Sequence, residues 1–341
     1  MKHVFLVNSH TTFLSSLGVI NLLKIANKDV VMLFARNYTN SVCALPYTLC
    51  DVNELYYSAD DVFFTKDSDI ISKKIKEVDT IVDNHIRGFY HMYVPNFCNP
   101  LVCLLYSNWK CRRISFIQEA AQSTVSAYKT NISVWNGLKR RLRLLRDGIP
   151  YRKWIMPLYY RNDYIWKQYG KMYSYALNDN IFAGFKSNIN HIINWPAIDY
   201  KFNLNKEATF FVVDGWVKNF MCESEVFLQL MKRLIEENVG SYNYIKFHPN
   251  QIASEREQIL DFFKNCNAPY EIMDQSVPFE LVITTYQGLK IVGMGSALCF
   301  FAKDLHHNVI CHDDWCYEKS EMFRRHIELT GNKLFKDYYA R

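Results

Sequence analysis

The run Tyr244-Ile-Lys-Phe-His248-Pro249, with Val277-Pro278-Phe-Glu280 and Gly293-Met-Gly295-Ser296 after it, decides the fold class. Residues 242–247 are apolar and β-prone and carry His-Pro at their carboxyl end, where strands of open α/β sheets present ligand-binding groups. Residues 289–294 form a second apolar run, which meets Gly295-Ser296 and passes into Ala297-Leu-Cys-Phe-Phe-Ala. That is strand, tight turn, helix start. Small residues at such a turn let backbone N–H groups approach an anion at the positive end of a helix, with the Ser296 hydroxyl as a further donor. Two strand ends, an imidazole and a helix N-terminus are therefore expected to converge on a phosphate.

Working outward, a strand at 209–213 (Thr-Phe-Phe-Val-Val) turns at Asp214-Gly215 and leads through a helix at 223–237 to the His-Pro strand. Further strands are expected at 270–273 and 289–292. In the first half, strand-like runs at 4–7, 30–34, 80–82 and 114–117 alternate with helix-compatible segments at 13–25 and 68–76. Such alternation implies parallel strands with crossover helices. The stretch 134–197 is aromatic, basic and irregular and reads as a connector. The expected division is residues 1–197 and residues 198–341. Neither a Gly-x-Gly-x-x-Gly nor a Walker sequence is present, which argues against the usual dinucleotide and P-loop proteins.

Composition is that of a globular α/β protein: 341 residues, 49% hydrophobic and 22% charged, enough for two domains. The ten cysteines are scattered with no Cys-x-x-Cys pair, so reduced thiols in a cytoplasm are expected rather than a disulfide framework or a zinc site. The start, Met1-Lys-His-Val-Phe-Leu-Val-Asn, reads as a first strand rather than a signal segment. No run approaches the roughly 20 apolar residues of a spanning helix. The formal charge of +6 is mild, and its densest cluster is Lys139-Arg140-Arg141-Leu-Arg143-Leu-Leu-Arg146. On a helix from Val134 to Arg146, Val134, Trp135, Leu138, Leu142 and Leu145 share one face and the cations take the rest. Such a helix suits an anionic membrane surface, and equally an interdomain helix with a solvated basic face. No nucleic-acid-binding module accompanies it.

The order Lys246-Phe-His248-Pro249, Val277-Pro278-Phe-Glu280-Leu281 and Gly295-Ser296 resembles that of bacterial CMP-sialic-acid-dependent glycosyltransferases of the polysialyltransferase and lipooligosaccharide sialyltransferase kind. The family pattern opens with an acidic pair and a glycine. Its counterpart here is Gln118-Glu119-Ala120, directly after the run Ile114-Ser-Phe-Ile117. Gln118 and Ala120 depart from that pattern, as does Ala297 where a second hydroxyl is expected. The resemblance implies a GT-B fold, two Rossmann-like domains facing each other across a cleft, with the nucleotide held mainly by the second.

It also implies roles. Glu119 would act as general base toward the acceptor hydroxyl, while His248, Pro249, Gly295 and Ser296 would hold the CMP phosphate and Glu280 the nucleoside. A base opposite the leaving group implies inversion at the anomeric carbon. No cofactor and no metal is expected, since no Asp-x-Asp sequence is present and an imidazole with a helix dipole can answer the phosphate charge. Ser9, His10 and Thr11, after the first strand, are expected against acceptor sugar hydroxyls. The donor would be CMP-sialic acid and the acceptor a cell-surface glycan of capsule, O-antigen or lipooligosaccharide, met in the cytoplasm or peripherally at the inner membrane. The alternatives are a GT-B enzyme using CMP-Kdo or a UDP-sugar, or a non-catalytic nucleotide- or glycan-binding relative.

Overall fold

A computed structural model describes residues 1–40, 44–59, 67–96, 99–120, 172–179, 181–182 and 188–329, with positions 139, 142, 145 and 146. The chain divides into two compact units, Met1–Pro196 and Ala197–Arg341. Each is an α/β unit built on a parallel sheet, so the chain carries the two Rossmann-like units that the sequence leads one to expect.

In the first unit, strands β1 (Lys2–Val7), β2 (Val30–Phe34), β3 (Thr48–Asp51), β4 (Tyr90–Val94), β5 (Cys111–Ile117), β6 (Met172–Ala176) and β7 (Asn188–Ile192) form one sheet in the order β3-β2-β1-β4-β5-β6-β7. All its pairings are parallel. Helices α1 (His10–Leu23), α2 (Asn53–Ser58), α3 (Ser68–Ile81) and α4 (Pro100–Ser107) accompany it. Alternation along β1 sends Val4 and Leu6 into one buried cluster with Val31, Leu33, Ile75, Val78 and Leu104. Phe5 points the other way and stacks on Tyr93 with centroids 4.4 Å apart.

Helix α1 begins earlier than the apolar pattern alone suggests because Ser9 caps it. Its Oγ accepts from the Thr12 amide at 3.2 Å, and Thr12 Oγ1 accepts from the Ser9 amide at 3.1 Å. This reciprocal box satisfies two otherwise orphaned donors.

Two expectations are corrected here. Residues 80–82 are not a strand: they end α3 and begin a π-helical turn, Val82–Ile86. Ile71, Ile75, Val78 and Val82 are all buried and recur at helical spacing, and this longer period overrides the local β-branched Ile-Val pair. The strand on that side of β1 is β4 instead. The supposed connector 134–197 also contains β6 and β7, so an aromatic, polar stretch supplies two strands of the sheet.

The second unit holds β8 (Thr209–Val213), α5 (Ser224–Asn238), β9 (Asn243–Phe247), α6 (Ala253–Asn265), β10 (Tyr270–Ile272), α7 (Phe279–Thr285), β11 (Lys290–Gly293), α8 (Ala297–Asp304), β12 (Asn308–Cys311), α9 (Asp313–Lys319) and α10 (Glu321–Leu329). Its sheet runs β10-β9-β8-β11-β12, again parallel throughout. Helix α5 buries Phe227, Leu230, Met231, Leu234 and Ile235 against Phe211, Ile245 and Val292. Each such fully buried side chain contributes roughly 1.5–3 kcal/mol. Gly293 is required where it stands, because a Cβ there would lie 2.7 Å from the Val212 carbonyl on the neighbouring strand.

Both sheets reverse direction of growth once. The chain passes from β1 outward to β2 and β3 and then returns to β4, and it passes from β8 through β9 and β10 before returning to β11. The openings beyond the carboxyl ends of β1/β4 and of β8/β11 are thus the topological switch points, where open α/β sheets bind ligands.

Most of the segment from Val134 to Arg146 lies outside the described residues. Lys139, Leu142, Leu145 and Arg146 are helical and exposed. Among the described residues no helix is long and apolar enough to cross a membrane.

Candidate functional site

At the first switch point the carboxylate of Glu119 is held from two sides. Asn8, directly after β1, donates its side-chain amide to Oε1 at 2.8 Å, and Asn96, after β4, donates to Oε2 at 2.8 Å. Three strand ends therefore fix one carboxylate, with each oxygen oriented by a neutral donor. The Asn8 carboxamide is positioned in turn, because its Oδ1 accepts from Thr12 Oγ1 at 3.1 Å and its backbone amide donates to the same hydroxyl at 3.0 Å. Tyr56 from α2 joins the group. Burial, and secondarily the Glu119 charge, push its hydroxyl upward, while hydrogen bonds with Asn99 and Asn8 oppose the shift. Arg36, after β2, brings Nη1 to 3.7 Å from Glu119 Oε1.

Gln118 stands where the resembled pattern has an acid, and it has a structural role. It is buried, its Oε1 accepts from the Leu177 amide at 2.8 Å, and its Nε2 donates to the Ala120 carbonyl at 3.3 Å. This ties the end of β5 to the end of β6. Ser9 is the cap of α1, Thr11 is buried, and His10 lies edge-on to Tyr38 with ring centroids 5.1 Å apart. Burial depresses the His10 imidazole to about 4, so it is neutral at pH 7.

At the second switch point His248 follows β9, and its amide donates to the Val213 carbonyl at 2.8 Å, anchoring it beside the end of β8. Its Nδ1 accepts from the Asn250 amide at 3.0 Å. A ring whose Nδ1 accepts carries its proton on Nε2, so Nε2–H is the donor left for a ligand. Gly215 packs against this ring: a Cβ there would lie 3.1 Å from Nδ1. Burial raises the Asp214 carboxyl, with the neighbouring His248 ring and the Gly215 amide opposing the shift. Pro249 is exposed on the same loop.

The Gly295-Ser296 turn has the expected strand–turn–helix form. Ser296 is the N-cap of α8, buried, with Oγ accepting from the Cys299 amide at 3.3 Å. The Gly295 amide is engaged within the chain. It donates to Oδ1 of Asp313, a buried residue opening α9, at 2.9 Å. An aspartate thus holds the donor that sequence reasoning assigned to a phosphate.

Glu280 sits in the first turn of α7 and is half-buried. Beneath it, Lys246 on β9 donates its ammonium to the carbonyls of Asp274 and Val277, both at 2.8 Å. Burial lowers the Lys246 ammonium, and the charges of Glu280 and Asp274 oppose that shift. Lys246 thus organises the loop that delivers Pro278 and Glu280. The sequence placed Asn8 at the end of the first strand and Lys246 in the right motif but assigned neither a contact. Arg36, Tyr56 and Asn96 carried no local signal, since each joins the site only through the strand order.

No protein-family model matches the chain, and no curated protein sequence matches it. Solved structures similar to it include the UDP-GlcNAc 2-epimerase from Methanocaldococcus jannaschii, at 11% identity and a TM-score of 0.47, covering 91% of this chain and 83% of that one. The calicheamicin glycosyltransferase CalG4 is 12% identical with a TM-score of 0.43, covering 96% and 84%. The spinosyn rhamnosyltransferase SpnG, complexed with thymidine diphosphate, is 10% identical with a TM-score of 0.45, covering 97% and 91%. By name these are an epimerase and two transferases, and the likeness selects no chemistry among them.

Proposed function

We propose that the chain is a glycosyltransferase that moves a sugar from a nucleotide donor to a glycan hydroxyl, and specifically that it transfers sialic acid from CMP-sialic acid with inversion. The observation that carries this reading is the Glu119 carboxylate, oriented by Asn8 and Asn96 at a switch point. A carboxylate fixed in place at a strand end is positioned to take a proton, as a general base requires. In the reaction the acceptor oxygen bonds to the anomeric carbon, its proton passes to Glu119, and the bond from the anomeric carbon to the phosphate oxygen breaks. The electron pair leaves on CMP. The Nε2–H of His248 and the hydroxyl of Ser296 are the groups proposed to receive that charge. Pro249, Glu280 and Gly295 complete the proposed nucleotide site, and Ser9, His10 and Thr11 the proposed acceptor loop.

The choice of cytidine and of sialic acid rests on the sequence resemblance around His248-Pro249 and Gly295-Ser296. CMP-Kdo and UDP-sugars are the competing donors. A second reading, nucleotide binding without transfer, is favoured by the Asp313 carboxylate at the Gly295 amide. Incubation with CMP-sialic acid, CMP-Kdo or UDP-sugars and a panel of galactose- and sialic-acid-terminated acceptors, reading released nucleotide, separates these readings. Acceptor-dependent CMP release from CMP-sialic acid alone is the expected result. Release from a UDP-sugar instead reassigns the donor, and binding with no release from any donor sinks the transferase.

A further inference from the structure

We infer that the amino end of the first sheet, centred on Phe89 and Trp109, is a docking surface for an anionic lipid bilayer. The assignment goes beyond the proposed function and does not depend on it.

The topology gathers the surface. All strands of a parallel sheet start at the same end, and β2, β1, β4 and β5 are consecutive in the sheet, so the connections that enter them are neighbours on one rim. Glu119 follows β5 and lies at the opposite rim. Among the described residues, five large apolar side chains are exposed on the entering connections. Met1 precedes β1, Leu22 and Leu23 end α1 on the way to β2, Phe89 precedes β4 and Trp109 precedes β5. Phe89 is 44% exposed and Trp109 47%, and their rings meet edge to face with centroids 5.5 Å apart. Scattered singly, such residues need no explanation; gathered at one rim they mark an interaction surface.

The backbone is shaped to present the rings. The π-helical turn before β4 ends on Arg87 and Gly88, with φ of 53° and 125°. Arginine is costly in left-handed backbone, and here that conformation turns the chain outward at Phe89. On β5, Tyr90 pairs with Cys111 and His91 with Arg113, which leaves Arg112 as the extra residue of a β-bulge. A bulge re-aims its side chain. This one lays the Arg112 guanidinium over the Phe89 ring, 4.0 Å from the centroid. Both turns are closed by hydrogen bonds: the Lys2 amide donates to the Phe89 carbonyl at 2.9 Å, and the Lys110 amide donates to Asn108 Oδ1 at 2.9 Å. The rings are thus fixed at the surface instead of folding back onto the sheet.

Charge selects the partner. Lys24, Lys28, Arg87 and Arg112 are exposed at this rim. Asp29 and Asp83 are each paired with a lysine, Lys2 Nζ at 3.6 Å from Asp29 and Lys110 Nζ at 2.5 Å from Asp83. Aromatic rings among cations match a bilayer interface, where rings lie at the level of the headgroups and cations meet lipid phosphates. An uncharged protein partner would use the rings and leave the cations idle. Docked this way, the sheet rests its amino end on the membrane and turns the Glu119 end toward water.

Vesicle co-sedimentation of the full chain tests this without any sugar transfer. Binding to phosphatidylcholine–phosphatidylglycerol vesicles should exceed binding to phosphatidylcholine alone at least tenfold and should weaken with salt. A cation near such a surface is worth roughly fivefold in binding, so Arg87→Gln with Arg112→Gln should lower it at least tenfold. Phe89→Ser with Trp109→Ser should do the same. Brominated lipid should quench tryptophan fluorescence, and Trp109→Phe, which keeps a ring in place, should remove most of that quenching even if the serine pair fails to fold. Binding retained by the arginine pair but lost on changing Arg140, Arg141 and Arg143 to Gln would give the membrane to the segment from Val134 to Arg146 and overturn the inference. Absence of binding to anionic vesicles overturns it too, and a wild type that dimerises in sedimentation velocity while the arginine pair stays monomeric would assign the rim to a second copy of the chain instead.

Discussion

The Asn8 carboxamide donates to Glu119 Oε1 at 2.8 Å, joining side chains that leave β1 and β5 and stand 111 residues apart in the chain. The contact exists because β4 alone separates the two strands in the sheet order. If this carboxylate takes the acceptor proton, Glu119→Gln should lower turnover at least about a hundredfold while leaving CMP affinity within about twofold. Measured kcat and a calorimetric CMP titration check both halves. Undiminished turnover in the variant moves the base elsewhere, with His10 next in line.

Nucleotide binding should be visible as stability. CMP at one hundred times its dissociation constant should add about 2.7 kcal/mol. A melting temperature raised no more by CMP than by UMP or AMP would remove the cytidine assignment.

Gly215→Ala should weaken CMP binding with little loss of stability. The added Cβ would meet His248 Nδ1 at 3.1 Å, so the imidazole has to move by a few tenths of an ångström. Calorimetry beside a thermal melt distinguishes this from general destabilisation, which would lower both together.

Lys246→Met should cost about 1.5–3 kcal/mol, the usual scale for hydrogen bonds from a charged donor to partly buried carbonyls. Hydrogen exchange should quicken at residues 274–280 first, because the ammonium donates to Asp274 and Val277 at the base of that loop. Exchange that quickens uniformly across the second unit would show a role in the core instead.

Stability should fall as pH drops from about 6.5 to about 4. Burial holds the His10 imidazole at about 4 and that of His91 at about 3, against an ordinary value near 6.5. Below 6.5 the unfolded chain takes up protons that the folded chain refuses, so protonation favours unfolding. Denaturant melts at several pH values should show His10→Asn flattening this slope. An unchanged slope would mean that His10 is solvated more freely than its packing against Tyr38 implies.

The sequence discloses what is local. β2 and β8 are short apolar runs bounded by turn residues, and both are where the pattern puts them. The Gly295-Ser296 turn and the His248 strand end are likewise written in consecutive residues. By contrast, β4 contains His91 between Tyr90 and Met92, and its imidazole is accommodated because Ser115 on β5 meets Nε2 at 2.8 Å and the Tyr93 hydroxyl meets Nδ1 at 3.2 Å. A buried histidine satisfied from the next strand reads in sequence as a break in a strand. The site follows the same division. The strand-end positions of Glu119 and His248 were legible from their motifs, whereas Asn96 and Arg36 acquire meaning from the parallel order that sets the ends of β2 and β4 beside that of β1, with β5 next.

If Gly295 serves the nucleotide as proposed, the Asp313 carboxylate seated on its amide has a kinetic consequence. A phosphate oxygen bound for that amide meets a donor already in use, and its association cannot outrun the departure of the aspartate. Observed rates in stopped-flow mixing would then climb with nucleotide concentration and level off. The ceiling would be an opening rate of the chain itself, the same for every nucleotide that enters, while differences in affinity between nucleotides would appear in how fast each one leaves.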